Sequence, residues 1–215
     1  MSTTLHPILL FPWGRAQAPT PGPPSPSKPL LVADISNYGG TLTDAQVEGL
    51  QAAGVAHVIA RISMEDKARQ AITRQQITAL RGHGMPVSGY LFPDYSAKPA
   101  THIAEVLSHA GDISSLWIDI EGEGLPSFSV MADWIRAARS SCPVRMGIYT
   151  AAWVVRKFPG WGDLSDFPLW AAVYDTFRGF DVAFGGWTHA AGIQYQNTAT
   201  VGGVSCDLSW FESEL

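Results

Sequence analysis

The chain has 215 residues, which is enough for one sizeable domain of the α/β-barrel kind. Hydrophobic residues make up 46 % and charged residues 15 %, a composition typical of a well-packed globular protein and unlike that of a disordered chain. Its formal net charge of −5 would repel the phosphate backbone of a nucleic acid, so we expect no nucleic-acid partner. The sequence contains no apolar run long enough to cross a bilayer.

The first 29 residues differ in composition from the rest. Residues 16–29 read AQAPTPGPPSPSKP, a proline-rich spacer with few side chains that could build a core. The preceding apolar stretch, LHPILLFPWG, resembles a secretion signal, but it has no Lys or Arg in front and contains two prolines. We interpret residues 1–29 as a short docking peptide on a semi-rigid tether, and residues 30–215 as the folded domain.

From residue 30 onward, short apolar runs alternate with amphipathic segments. Thr43 and Gln46 form a capping box that predicts a first helix, which Gly54 can end. Apolar runs predict strands at residues 30–36, 58–63, 86–92, 115–121 and 143–149, with helices at 68–83, 99–110, 129–140 and 151–157. The last third predicts strands at 168–174, 192–196 and 206–211, with little helix between them.

This order predicts the fold. Alternating strands and helices indicate a parallel sheet with right-handed crossovers, and eight strands indicate closure into a barrel. An open doubly wound sheet is the main alternative, but no glycine-rich phosphate loop follows the first strand. We therefore predict an α/β fold: a TIM-like β/α barrel with some helices missing in the last third.

The sequence contains none of several common catalytic, phosphate-binding and zinc-binding motifs. The chain has no HExxH, no P-loop, no GxSxG and no paired Cys and His spacing for zinc, so we predict no metal and no cofactor. Cys142 and Cys206 lie far apart and form no CxxC, which favours two free thiols over a disulfide.

Acidic residues fall where predicted strands end, the edge at which parallel barrels collect reactive groups. They are Asp34 on the first strand, Asp119 and Glu121 on the fourth, and Asp207 on the last. Residues i and i+2 of a strand face one side, about 6.6 Å apart at their α-carbons, so Asp119 and Glu121 should lie side by side.

Two such carboxylates in a semi-buried cleft cannot both ionise at their usual pH, and one of them can then act as a general acid. The pair Asp119 and Glu121 therefore suits cleavage of a glycosidic bond. The alternative is that DIE is a solvated, inert strand end. The apolar residues Trp117 and Ile118 argue for a buried strand, which rarely carries two acids without a function.

Aromatic residues are abundant at the same strand ends, and flat aromatic faces stack on sugar rings. They are Tyr38, Tyr90, Phe92, Tyr95, Tyr149, Trp170, Tyr174 and Tyr195. We expect roughly half of them to belong to the core, Phe92 first among these.

Several short motifs follow one another in a recognisable order: VADISNYGG, GYLF, WIDIE, PLWAAVY and IQYQNTATVGGVSCDLSWF. In this order they resemble glycoside hydrolase family 25, the lysozymes of bacteria and their phages, over residues 30–215. The resemblance implies a barrel whose later strands lack some helices. It also implies a β-1,4-N-acetylmuramidase that cleaves peptidoglycan between N-acetylmuramic acid and N-acetylglucosamine, and therefore acts on the cell wall, outside the cell or delivered by a phage. We expect a monomer.

The resemblance also assigns roles to residues. Glu121 would be the general acid, and Asp119 would stabilise or orient the reacting N-acetyl group or a charged intermediate. Asp34 and Asp207 would flank the cleft and keep the pKa values of Asp119 and Glu121 apart. The expected substrate contacts are Tyr38, Tyr90, Tyr149, Trp170, Tyr174, Gln194 and Tyr195.

The chain departs from the family pattern at five positions: Gly39, Met64, Leu91, Val173 and Ile193. The family usually has glutamine, a polar residue, histidine, arginine and tryptophan at these places. All four acids are present, so we expect activity, with an altered substrate preference or rate. The departures also leave a second hypothesis open, a non-hydrolytic barrel that binds wall glycan or forms part of a virion or surface assembly.

Overall fold

The computed structural model of the chain describes residues 28–62, 66–213 and 215. Almost all of the tether interpreted from the sequence, residues 1–29, lies outside the described residues, and so does Met64.

Ten strands and five α-helices make up the described part of the chain. The barrel strands are β1 (Leu30–Ile35), β2 (Val55–Arg61), β3 (Val87–Leu91), β4 (Ser115–Asp119), β5 (Arg145–Ala151), β6 (Leu169–Ala172), β9 (Gly192–Val201) and β10 (Val204–Phe211). The helices are α1 (Asp44–Ala52), α2 (Lys67–Gly82), α3 (Pro99–Ala110), α4 (Phe128–Ser141) and the single turn α5 (Ala152–Val155). Strands β7 (Asp181–Phe184) and β8 (Trp187–His189) pair with each other in a separate hairpin.

Eight strands close into a barrel in the order β1-β10-β9-β6-β5-β4-β3-β2, which confirms the predicted α/β barrel. Neighbouring strands are parallel except around β10, which is antiparallel to both β9 and β1, so a wholly parallel sheet was the wrong expectation. The reason is the connection of β9 to β10, which consists of Gly202 and Gly203 with φ values of 59° and 78°. A two-residue turn with positive φ at both positions can join only antiparallel strands.

Aromatic side chains fill the inside of the barrel. The interior cluster consists of Val32, Ile59, Trp117, Tyr149, Trp170 and Phe211. Two glycines make room for these rings, because a Cβ at Gly147 would lie 2.3 Å from Trp117 and one at Gly192 would lie 2.4 Å from Phe211. The barrel is therefore a packed core below its carboxyl edge.

The outer faces of the strands pack against helices α1 to α4 in a second, larger cluster of buried apolar residues. Helix α1 begins as predicted, because the Gln46 N–H donates to Thr43 Oγ1 (3.3 Å) and the Thr43 N–H donates to Gln46 Oε1 (2.9 Å). Cys142 and Cys206 are both free thiols, as the sequence favoured. None of the helices in the described residues combines the length and the apolar character needed to span a membrane.

No α-helix occurs in the described segment between β6 and β9, which confirms that the last third of the barrel lacks helices. The hairpin β7–β8 occupies this segment and was not predicted. The sequence signal for this hairpin was its turn, Gly185 and Gly186, because paired glycines between two short strand-like runs are typical of hairpins. The Trp187 indole N–H attaches the hairpin to the barrel by donating to the Phe167 carbonyl (2.9 Å).

The close approach of α1 to the β9–β10 turn provides a test of the fold. A Cβ at Gly49 would lie 2.6 Å from the Gly202 Cα, so Gly49→Ala should lower the free energy of unfolding by about 1–3 kcal/mol. Gly82 is also helical and a Cβ there meets nothing within 4 Å, so Gly82→Ala should be neutral or stabilise by up to about 1 kcal/mol. Urea unfolding of both variants measures the difference, and equal effects would contradict this packing.

Candidate active site

The four acidic residues singled out from the sequence line one cavity of about 190 Å³ at the carboxyl edge of the barrel. Asp34 lies near the end of β1, and Asp119 is the last residue of β4. Asp207 is not at a strand end, as the sequence suggested, but in the first half of β10. Because β10 runs antiparallel, its first half lies at the same edge, and Asp207 pairs in register with Asp34.

The extended course of β4 continues past its last residue and brings Glu121 next to Asp119. The Ile120 N–H donates to the Tyr149 carbonyl (2.9 Å), and Thr150 Oγ1 donates to the Ile120 carbonyl (2.9 Å). The Ile120 side chain is buried in the outer core, so its two acidic neighbours face the cavity on the other side.

Burial raises the pKa of all four carboxyl groups, and repulsion from a neighbouring carboxylate raises the pKa of three of them further. Burial first and then the charge of Asp207 raise the pKa of Asp34 to about 8, while burial and Glu121 raise the pKa of Asp207 to about 6. Burial, followed by Glu121 and Asp34, raises the pKa of Asp119 well above its usual range. Burial also raises the pKa of Glu121, and the charge of Arg61 opposes this rise. The cavity therefore retains protons near neutral pH.

Arg61 is a cavity residue that was not singled out from the sequence. It ends β2, and it is the one cation that lines the cavity within the described part of the chain. Its guanidinium lies over the ring of Phe92, 4.8 Å from the centroid, and its charge lowers the pKa of both Asp119 and Glu121. The sequence contained one signal for this residue, because Arg61 ends the apolar run VIAR and arginine is rarely buried without a partner.

Aromatic side chains form the floor and one wall of the cavity. Tyr149 and Trp170, with ring centroids 4.5 Å apart, belong both to the barrel's interior cluster and to the cavity lining. Tyr90 and Phe92 line the wall and meet edge to face at 6.2 Å. The expectation that Phe92 belongs to the core is wrong, because Phe92 follows the end of β3 and is only half-buried.

Two further tyrosines extend the site outward without lining the cavity itself. Tyr174 is 52 % exposed, and its hydroxyl lies 3.3 Å from that of Tyr149. Tyr38 is 62 % exposed, with the guanidinium groups of Arg61 and Arg69 at 5.2 and 4.0 Å from its ring centroid. Contact of Tyr38 or Tyr174 with a substrate stays a prediction.

The structure places Tyr195 outside the cavity, unlike its neighbour Gln194. Side chains alternate along β9, so Gln194 faces the cavity and Tyr195 lies on the outer face. There the ring of Tyr195 stacks on Trp210 with centroids 6.1 Å apart and planes at 14°.

Gln194 connects the acids to the tyrosines. Its Nε2 donates to Asp34 Oδ2 (3.0 Å) and to Asp207 Oδ2 (3.4 Å). Its Oε1 accepts the hydroxyl hydrogens of Tyr149 (2.7 Å) and Tyr174 (2.8 Å). The amide is thus the centre of a hydrogen-bonded chain that runs from the mouth of the site to two of its acids.

The departures from the family pattern leave the cavity lining largely unaffected. Leu91 and Ile193 are buried in the outer core, where neither side chain reaches the cavity. Val173 is exposed, and Gly39 lies in the short 3-10 helix after β1 with open space around it. These substitutions therefore leave the acids in their positions.

A closed α/β barrel with clustered carboxyl groups and aromatic walls at its carboxyl edge is an arrangement found in glycoside hydrolases. The family model described as Glycosyl hydrolases family 25 matches residues 33–204, and the chain belongs to this family.

Known relatives share this assignment. "Probable GH family 25 lysozyme 3" of Dictyostelium discoideum is 33 % identical over 151 residues, which cover 63 % of this chain and 32 % of the relative. "Probable GH family 25 lysozyme 4" of the same organism is 30 % identical over 138 residues, covering 58 % of this chain and 64 % of the relative. The chain therefore spans between about a third and two thirds of the length of these relatives.

The solved structure of a muramidase from Acremonium alcalophilum has the same fold. It superposes with a TM-score of 0.69 at 20 % sequence identity, covering 86 % of this chain and 94 % of that one.

The raised pKa of Asp34 predicts a pH-dependent stability. The folded pKa of about 8 lies above the ordinary value of 3.8, so the folded state binds the proton more tightly and loses stability as the pH rises from 4 to 8. Asp34→Asn cannot ionise but can still accept the hydrogen bond from Gln194. We expect it to be more stable than the parent by about 1–3 kcal/mol at pH 8 and nearly equal at pH 4.

Urea unfolding at both pH values measures this effect. Asp133→Asn, on an exposed position of α4, is the control and should follow the parent at both. If the free energy of unfolding depended on pH equally in the parent and in Asp34→Asn, this result would contradict the burial of an ionisable group at Asp34.

Proposed function

We propose that this chain is a β-1,4-N-acetylmuramidase that hydrolyses the glycan strands of bacterial peptidoglycan. The observation that carries the proposal is the pair Asp119 and Glu121, side by side in a cavity with aromatic walls and both with raised pKa values. Family membership and relatives named as lysozymes support it.

Glu121 is the general acid in this proposal. It is half-buried and faces the cavity, whereas Asp119 is only 4 % exposed, so a bulky leaving group can approach Glu121 more easily. Its raised pKa keeps a proton available, which passes to the glycosidic oxygen as the bond to the sugar carbon breaks. A water molecule then completes the hydrolysis at that carbon.

Asp119 stabilises the positive charge that develops on the sugar, or orients its N-acetyl group. Its Oδ1 is buried and has no hydrogen-bond partner within the residues that the structure describes. A carboxyl oxygen in this position can accept the N–H of an acetamido group that enters the cavity. Asp34 and Asp207 flank the pair from β1 and β10.

The aromatic residues hold the sugar rings. Tyr90, Tyr149 and Trp170 offer rings and hydroxyls inside the cavity, while Tyr38 and Tyr174 offer more exposed faces beside it. We further propose that the protein acts as a monomer on the cell wall, outside the cell or delivered by a phage. The proline-rich composition of residues 16–29 supports a tether at its amino end.

Substitution of the proposed acid tests the function. Glu121→Gln keeps the shape but cannot donate the proton, so release of reducing ends from purified cell wall should fall by about 100-fold or more. Glu123→Gln is the matched control, because Glu123 is exposed two residues further on, and it should retain the parental rate. Equal release by Glu121→Gln and the parent would refute the assignment. Binding to wall without any release by the parent would favour the non-hydrolytic barrel.

Arg61 should set the upper pH limit of activity. A general acid must be protonated, so activity falls as the pH rises through the pKa of Glu121, which Arg61 holds down. Arg61→Gln should move this limb of the profile upward by about 0.5–1 pH unit, whereas Arg61→Lys keeps the charge and should leave it near the parental position. The measurement is kcat/KM as a function of pH. Coincident profiles for Arg61→Gln and Arg61→Lys would argue against an effect of the Arg61 charge on the pKa of Glu121.

A further inference from the structure

The side-chain amide of Gln194 has no capacity left for a substrate. An amide offers two N–H donors and two acceptor lone pairs. Both donors are directed to carboxyl oxygens of Asp34 and Asp207, and the oxygen accepts two phenol hydrogens, from Tyr149 and Tyr174. The residue is also only 2 % exposed. Direct contact with a sugar, as the sequence suggested, would require one of these hydrogen bonds to break.

The orientation of the amide follows from the chemistry of its neighbours. If the amide were reversed, its oxygen would face two carboxyl oxygens, and both carboxyls would have to be protonated to pair with it. With the N–H groups facing Asp34 and Asp207, at least one of these two carboxyls can carry a negative charge.

We propose that Gln194 is a positioning residue that holds Asp34 and Asp207 together, so that the two carboxyl groups share one negative charge at neutral pH. The inference rests on the proposed function for its catalytic meaning. It replaces the role of a substrate contact with that of a bridge between two acids and two tyrosines.

The electrostatics of the pair agree with this role. The pKa of Asp34 is raised to about 8 and that of Asp207 to about 6, so near pH 7 Asp34 keeps its proton while Asp207 is charged. The hydrogen bond from Gln194 lowers the pKa of Asp34 and partly offsets its burial and the repulsion from Asp207. One shared charge limits the negative charge that faces Glu121 across the cavity.

A titration without substrate tests the bridge directly. Carboxyl-carbon NMR should show the apparent pKa of Asp34 higher by about 0.5–1 unit in Gln194→Met than in the parent, because the ionised form loses its hydrogen bond. Gln196→Met is the matched control, since Gln196 is exposed on the same strand and its amide donates to the Thr198 carbonyl. It should leave the titration unchanged.

Gln194→Glu provides a second variant of the same shape in case the methionine variant does not fold. It replaces the NH2 group, which carries both N–H donors, by a carboxylate oxygen, so the pKa of Asp34 should rise further than in Gln194→Met. An unchanged pKa of Asp34 in the folded variants would overturn the proposal. This readout does not depend on wall hydrolysis, so it fails or succeeds separately from the proposed function.

Kinetics distinguish positioning from substrate contact. A positioning role predicts that Gln194→Met lowers kcat by about tenfold or more while KM for soluble glycan stays within about twofold. A substrate contact predicts a raised KM with an unchanged kcat, and that result would overturn the inference.

Discussion

The burial of four carboxyl groups in one cavity is the constraint on which the rest of this site depends. Like charges this close, with little water around them, cannot all ionise near neutral pH. The pKa of each group is raised, and burial is the first cause in every case. A site that retains protons can donate them. The same arrangement lowers the free energy of unfolding, because the four carboxyl groups ionise freely in the unfolded chain.

The barrel supplies the framework that enforces this crowding. Aromatic rings fill its interior, and the cavity lies above them at the carboxyl edge, so the acids have an apolar floor beneath them. The reversed strand β10 contributes the fourth acid, since only an antiparallel course places Asp207 beside Asp34. That course depends on the Gly202–Gly203 turn, which packs closely on Gly49 of α1.

Opposing interactions keep the cavity from being uniformly protonated. Arg61 lowers the pKa of Asp119 and Glu121, and the amide of Gln194 lowers that of Asp34. These two polar side chains come from β2 and β9, the strands that flank β1 and β10 in the barrel order. The site therefore combines burial, which raises each pKa, with one cation and one amide that favour the charged forms.

The amino-acid sequence by itself determined the features that local patterns encode. Apolar periodicity located the barrel strands and the main helices, the capping box located the start of α1, and short motifs identified the family and the four acids. The paired glycines at residues 202 and 203 were a local signal for the antiparallel direction of β10. The outward face of Tyr195, the exposure of Phe92 and the cavity position of Arg61 were decided by the tertiary structure. The physical reason is that the environment of a side chain depends on register and packing between residues far apart in the chain, which a local period of two or 3.6 residues does not contain.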